Sequence, residues 1–227
     1  MLSISNIDRM AFVIGITELK ELANVLTERT GQPFSDMPFS FMKRRLIVIF
    51  EKLRIRNLPH LIELLDDATF IDAFMYHISV ECTEMFRDPG FWRTLNAKVL
   101  SKLKNSESTV WFPDGASGEE IFSFLIMMEL NGKTAKTTFS HPSRQRLSEI
   151  SKGIINTKDL ELVESNFKRL ETNATISDFL SISTNSPQMN QNLLVNLKGE
   201  KGWVLNMPHD TTQYSLIMLR NTGLYFN

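Results

Sequence analysis

The 227-residue chain is 42% apolar and 22% charged, enough to build one large domain, or a small helical domain beside an α/β domain. Its formal net charge of −1 gives no overall electrostatic case for nucleic acid, and none is expected as a partner. Cys82 is the only cysteine, which excludes a disulfide framework and a cysteine-based zinc site, and His60, His77, His141 and His209 lack metal-ligand spacing, so no metal is expected.

In chain order, the apolar stretch at residues 10–16 lacks the basic flank and small-residue cleavage site of a secretory signal. No apolar run approaches the ~20 residues of a membrane span. Membrane insertion is therefore not expected, and a reducing, cytoplasmic setting is. Helices follow. Thr17 is read as the cap of the first, with Glu18 and Glu21 at its positive end; Leu19, Leu22, Ala23 and Leu26 recur at helical period, and Gly31 stops it. A second helix over 42–53 buries Leu46, Ile49, Phe50 and Leu53; its run Lys43-Arg44-Arg45 either steers an acidic partner or is simply a solvated face. Leu61, Leu64 and Leu65 mark a third helix, and Phe70, Phe74 and His77 a fourth, with His77 near its end. Asp88-Pro89 reads as an N-cap with proline in the first helical position, opening a helix that carries Phe91, Leu95 and Val99. The polar stretch 102–108 is the best domain boundary.

Beyond it the pattern changes to a strand at 109–112, a turn at 113–118, an apolar helix over 119–130, a strand at 135–139 and a helix over 143–152 ending at Gly153. Strand and helix alternating at this spacing predict a parallel sheet with crossover helices. Residues 157–170 read as helical, 173–192 as irregular or a small hairpin, and 203–207 and 214–219 as the last strands. The expected organisation is a helical domain over 1–88, a linker helix over 89–108 and an α/β domain over 109–227.

Three segments are candidates for chemistry. In an open α/β sheet, ligands bind beyond the carboxyl ends of the strands, where Asp114-Gly115-Ala116-Ser117-Gly118-Glu119-Glu120 lies. Its glycines permit a sharp turn and close approach of a ligand; a carboxylate just inside the helix suits a ligand ammonium group, and equally suits the helix dipole alone. Thr83-Glu84-Met85-Phe86-Arg87-Asp88-Pro89 offers an arginine beside aromatic and polar residues, either an anion anchor or a capping segment. Leu219-Arg220-Asn221-Thr222-Gly223-Leu224-Tyr225-Phe226 follows a strand, as a lining of a binding site or as an ordinary turn.

In this order and at these separations, the three segments resemble the CheR-type chemotaxis receptor methyltransferases. Residues 83–89 reproduce the family's Thr-Glu-Met-Phe-Arg-Asp-Pro in full, 114–123 follow its Gly-Cys-Ser-Thr-Gly-Glu-Glu-x-Tyr-Ser, and 215–226 follow its Asp-Leu-Ile-x-Cys-Arg-Asn-Val-Leu-Ile-Tyr-Phe; Lys43-Arg44-Arg45-Leu46 resembles its Lys-Arg-Arg-Ile. The resemblance spans nearly the whole chain. It implies an amino-terminal helical domain that recognises receptor helices, then a Rossmann-like S-adenosylmethionine methyltransferase domain. The implied reaction moves the sulfonium methyl to glutamate carboxylates of a chemoreceptor or related signalling protein, with S-adenosylhomocysteine as product. By motif match, Thr83 and Arg87 contact the cofactor, Glu120 holds its ammonium, Asn206 and Met207 lie near the adenine, Arg220 and Asn221 line the site, and Arg87 and Tyr225 stand near the transferred methyl, in catalytic roles.

The sequence also departs from the family. His141 stands where an aspartate should receive both ribose hydroxyls; an imidazole makes one such bond, so cofactor binding is expected to be weaker by roughly 1–3 kcal/mol. Asp114 replaces the first glycine of the turn. The sequence stops at Asn227, before the helix and two strands with which family members continue, so the methyltransferase domain is expected to be incomplete at its C-terminus. Two readings of that edge stay open: a truncated form, or another chain covering the last strand, as in a homodimer or a strand swap. Two functions stay open: an active protein-glutamate methyltransferase, favoured by the survival of Thr83, Arg87, Glu120, Arg220, Asn221 and Tyr225, or a non-catalytic CheR-like module kept for protein interaction.

Overall fold

The computed structural model describes residues 14–81, 84–155, 160–183, 186–203 and 213–220. The chain divides into two compact units, with the boundary between Ile71 and Asp72.

The first unit is helical. Helix α1 (Ile16–Thr30) buries Leu19, Leu22, Ala23 and Leu26, the residues whose spacing predicts it. It begins earlier than Thr17: Gly15 is the cap, and its N–H donates to Glu18 Oε2 at 2.8 Å. Gly31 ends it with φ 67°, its N–H donating to the Thr27 carbonyl. Helix α2 (Phe39–Lys52) buries Phe41, Met42, Leu46, Ile49 and Phe50 and leaves Lys43 and Arg44 exposed. Helix α3 (Leu58–Leu64) is capped by Asn57, whose side chain accepts from the His60 N–H, while His60 Nδ1 accepts from the Arg56 N–H. Helix α4 (Ala68–Ile78) buries Phe74, Met75 and Ile78 and runs across the boundary.

The second unit is built on a four-stranded parallel sheet. Its strands are β1 (Thr109–Phe112), β2 (Lys136–His141), β5 (Leu197–Lys201) and β6 (Leu216–Ile217), in the spatial order β5-β2-β1-β6. The antiparallel hairpin β3 (Leu180–Ser183) and β4 (Ser186–Met189) stands apart from this sheet and falls within the stretch read as irregular or hairpin. The remaining helices are α5 (Pro89–Lys98), α6 (Glu119–Leu130), α7 (Arg144–Ser151) and α8 (Leu160–Lys168). Ile121 through Met128 are all buried, so α6 lacks a wet face over that stretch and packs on all sides. Phe86, Trp92, Phe112, Phe122, Phe124 and Phe139 are fully buried in the surrounding core, each worth ~1.5–3 kcal/mol of transfer free energy.

This α/β fold with a parallel central sheet is compatible with a Rossmann-like methyltransferase. Beginning at the centre with β1, the chain moves outward through β2 to β5 and returns on the far side of β1 as β6. The order therefore reverses between β1 and β6, and the crevice beyond their carboxyl ends is where such sheets hold ligands.

Several strand boundaries differ from the sequence reading, and β2, expected to end at 139, runs on to His141. Leu197–Lys201 is a strand although Leu-Lys-Gly-Glu-Lys shows no apolar alternation. Gly199 explains its place, because a Cβ there would lie 2.8 Å from the Phe139 ring. Trp203, expected to open a strand, lies just beyond β5, and 204–207 fall outside the described residues; within 214–219 only Leu216–Ile217 is strand.

Candidate functional site

The turn after β1 owes its shape to three residues. The Asp114 carboxylate accepts from the Ala116 N–H at 3.0 Å, a local bond that favours a tight turn. It lets Asp114 close the loop where the family pattern has glycine. Gly115 donates to the Ser140 carbonyl at 2.8 Å, tying the loop to β2, and a Cβ there would meet Phe139 at 2.9 Å and the Ser140 carbonyl at 3.2 Å. Gly118, with φ 101°, begins α6 in a conformation that a side chain would strain. Gly115→Ala is therefore expected to cost about 1–3 kcal/mol, measured as a lower urea midpoint with unchanged m-value.

The two glutamates that open α6 face different surroundings. Glu119 is buried beside the Ser117 hydroxyl, which donates to it, and burial raises its pKa. Glu120 lies nearer the surface and meets the cations.

The segment before α5 is held in a strained shape. Phe86 and Asp88 have φ 54° and 57°, left-handed values that non-glycine residues keep only where neighbours enforce them. The Ser123 hydroxyl accepts from the Phe86 N–H at 2.8 Å and donates to the Glu119 carbonyl at 2.6 Å. Trp92 Nε1 donates to the Arg87 carbonyl at 3.0 Å, and Asn166 Nδ2 to the Met85 carbonyl at 3.2 Å. Phe86 packs edge-on against Trp92 and Phe167. Ser123→Ala would leave the buried Phe86 N–H without its acceptor, and a loss of about 1–3 kcal/mol is expected in thermal or urea unfolding.

Asp88 occupies the cap position of α5 but makes no capping bond through its side chain, correcting the reading of it as a simple N-cap. Its carboxylate instead meets Arg220 just beyond β6, Nη2 to Oδ2 at 2.8 Å. Arg220 Nη1 lies 3.0 Å from Glu120 Oε1 and also donates to the Arg87 carbonyl at 3.4 Å. The guanidinium sits 4.0 Å over the Phe91 ring, a cation–π seat. Burial pushes the Glu120 carboxyl up to about 7; Arg220 and Arg87 pull it down, while Asp114 and Asp88 work with burial. Arg87 is exposed.

Glu120 and Arg220, from distant parts of the sequence, thus pair near the carboxyl ends of β1 and β6, where the Arg87 carbonyl also accepts from Arg220 and the Arg87 charge acts on Glu120. Thr83, Asn206, Met207, Asn221 and Tyr225 lie outside the described residues. His141, the last residue of β2, is in different company. Its ring is fully buried, Nδ1 accepts from the Ser143 N–H at 3.0 Å, and Nε2 has no hydrogen-bond partner among the described residues. Burial, and then the charge of Arg146, lowers its pKa to about 3, so the ring is neutral. Beside it, Asp72 closes the start of α7 by accepting from Ser143 Oγ and from the Arg144 and Gln145 N–H groups. Burial acts to raise the Asp72 carboxyl, but these bonds outweigh it and hold the pKa below the usual value. Arg146 lies 4.0 Å over Tyr76, between Glu81 and Glu149.

Sequence reasoning missed Asp88 and Phe91 as partners of Arg220, and Ser123, Trp92 and Asn166 as supports of the strained segment. The Asp-Pro pair suggested only a helix start, and nothing local links residues 88 and 220. Among the described residues, no group of three or more His, Cys, Asp or Glu is placed to hold a metal, and no helix is long and apolar enough to cross a membrane.

No family model matches the chain. It is 20% identical over 215 residues to a Pseudomonas putida protein named "Putative methyltransferase Cher3", a match covering 92% of this chain and 78% of that protein. Two proteins named "Chemotaxis protein methyltransferase", from Listeria monocytogenes and Listeria innocua, are each 30% identical over 92 residues, covering 39% of this chain and 35% of theirs.

Proposed function

We propose that this chain, a divergent relative of the CheR-type methyltransferases, binds S-adenosylmethionine beyond the carboxyl ends of β1 and β6 and methylates glutamate carboxylates of a chemoreceptor-like protein. The observation that supports this reading is the Glu120–Arg220 pair beside the glycine turn, within reach of the Arg87 charge, at the switch point of the sheet.

The methionine end of the cofactor fits the residues present. Glu120 supplies a half-buried carboxylate for an ammonium group, and Arg87 an exposed cation for a carboxylate. The ribose end does not fit His141, whose ring is buried with Nδ1 already engaged. With the ring fully buried, the ribose must find other partners. Bound S-adenosylmethionine supplies an activated methyl: the S–CH₃ bond breaks as an O–CH₃ bond forms to the carboxylate, leaving S-adenosylhomocysteine and a methyl ester. A carboxylate is already ionised and needs no strong base, so the protein's part is alignment and electrostatics. In this reading Thr83, Asn206, Met207 and Asn221 complete the cofactor site and Tyr225 stands at the transferred methyl, as the family pattern implies. The names of all three relatives favour an enzyme over a non-catalytic module.

Calorimetric titration with S-adenosylhomocysteine tests the reading. A saturable isotherm is expected, and no binding at millimolar ligand would overturn it.

A further inference from the structure

A ligand ammonium group reaching Glu120 meets a position that is already neutralised. The Arg220 side chain, only 14% exposed, is paired with Glu120, itself 18% exposed, and with Asp88, which is 65% exposed. The two carboxylates therefore differ in solvation. Glu120 has lost most of its water and depends on a positive neighbour, whereas Asp88 keeps its hydration and gains little from an ion pair.

The geometry points to Arg220 as the resident counter-ion of Glu120, which the ligand's ammonium group displaces, with Asp88 as the positioning residue that retains the guanidinium when it lets go. This rests on the reading of Glu120 as the ammonium site. The exchange needs no large motion. Nη1 faces Glu120 while Nη2 already holds Asp88, and the guanidinium lies over Phe91. Releasing Nη1 from Glu120 leaves the contacts to Asp88 and Phe91 in place. With the ammonium bound, each carboxylate has one cation, and no charge is stranded in the half-buried site.

Asp88 shows the local cost of this arrangement. Aspartate at a helix start ordinarily caps it through its side chain. Here the residue keeps left-handed backbone and turns its carboxylate to Arg220. A local rule broken without local gain marks a functional position.

Two variants test the exchange by moving affinity in opposite directions. Arg220→Met removes the competitor and keeps an apolar stem over Phe91. Asp88→Asn keeps a residue tolerant of left-handed backbone but leaves Arg220 wholly to Glu120. S-adenosylhomocysteine is titrated calorimetrically into wild type and both variants at about pH 8.5, to favour ionised Glu120. The expected result is about tenfold tighter binding by Arg220→Met and about tenfold weaker binding by Asp88→Asn. A purely structural pair would weaken binding in both. Wild-type binding with Arg220→Met unchanged or weaker overturns the exchange alone. Absence of binding by wild type and Arg220→Met overturns the reading of the site with it.

Discussion

Glu120→Gln is expected to weaken S-adenosylhomocysteine binding by about 10–100-fold while leaving the thermal midpoint near that of wild type. The size follows from the charge-assisted bond between a carboxylate and an ammonium group, worth about 1.5–3 kcal/mol. Fold stability should hardly suffer, because Glu120 is already hard to ionise where it stands: burial pushes its carboxyl up to about 7. The same fact gives the substitution a pH signature. Binding an ammonium group requires the ionised carboxylate, so wild-type affinity should fall by up to tenfold per unit below about pH 7. Glutamine has no proton to take up, and its weak affinity should be flat over that range. Calorimetry at several pH values reads both effects; equal affinity for the two chains would remove Glu120 from the site.

The second large effect concerns His141 and acid. The unfolded imidazole titrates near the ordinary histidine value of 6.5, and the folded one only at about 3. Between those limits the unfolded chain binds a proton that the folded chain refuses. The contribution of His141 to stability is therefore intact above about pH 6.5 and drains away as pH falls toward 3, amounting to about 2–3 kcal/mol by pH 4.5. The cause is visible in the contacts. Nδ1 is taken by the Ser143 N–H, so the neutral ring carries its hydrogen on Nε2, which is buried without a partner among the described residues. A second proton would have to displace the Ser143 amide. Urea unfolding at neutral pH and near pH 4.5 should show the loss in wild type and a reduced loss in His141→Leu. Identical acid losses in the two chains would contradict the assignment to His141. Asp72 contributes its own decline at lower pH, as protonation removes its bonds to α7, and it does so in both chains.

How much of this was legible in the sequence depended on whether the deciding contact was local. Strand β1 and most of β2 follow from short β-rich runs, and α6 from its apolar length, because burial on a regular element imprints its own period. Strand β5 left no such imprint: it is an outer strand of the sheet, and what places it is Phe139 filling the room left by Gly199. The start of α1 lies a short distance from where the sequence places it, because Glu18 serves Gly15 as well as it would serve a helix capped at Thr17.

The site divides in the same way. Arg87, Glu120 and Arg220 are proposed from the resemblance of three ordered motifs, and only folding shows Arg220 beside Glu120 and the Arg87 carbonyl. The Asp88–Arg220 pair spans 132 positions, and no window of sequence carries it. His141 could be set at the end of β2 by counting from the helix stop at Gly153. Its burial could not be foreseen, since that follows from α7 turning its capped end over the strand.

Methyl transfer to a carboxylate is read most directly by labelling. The protein is incubated with methyl-labelled S-adenosylmethionine and a chemoreceptor cytoplasmic fragment, and the protein-bound label is treated with mild base. Label is expected on the receptor fragment, released by base as methanol, the mark of a carboxyl methyl ester, and strongly reduced with Glu120→Gln. Binding of S-adenosylhomocysteine without any base-labile transfer to the receptor fragment would contradict it.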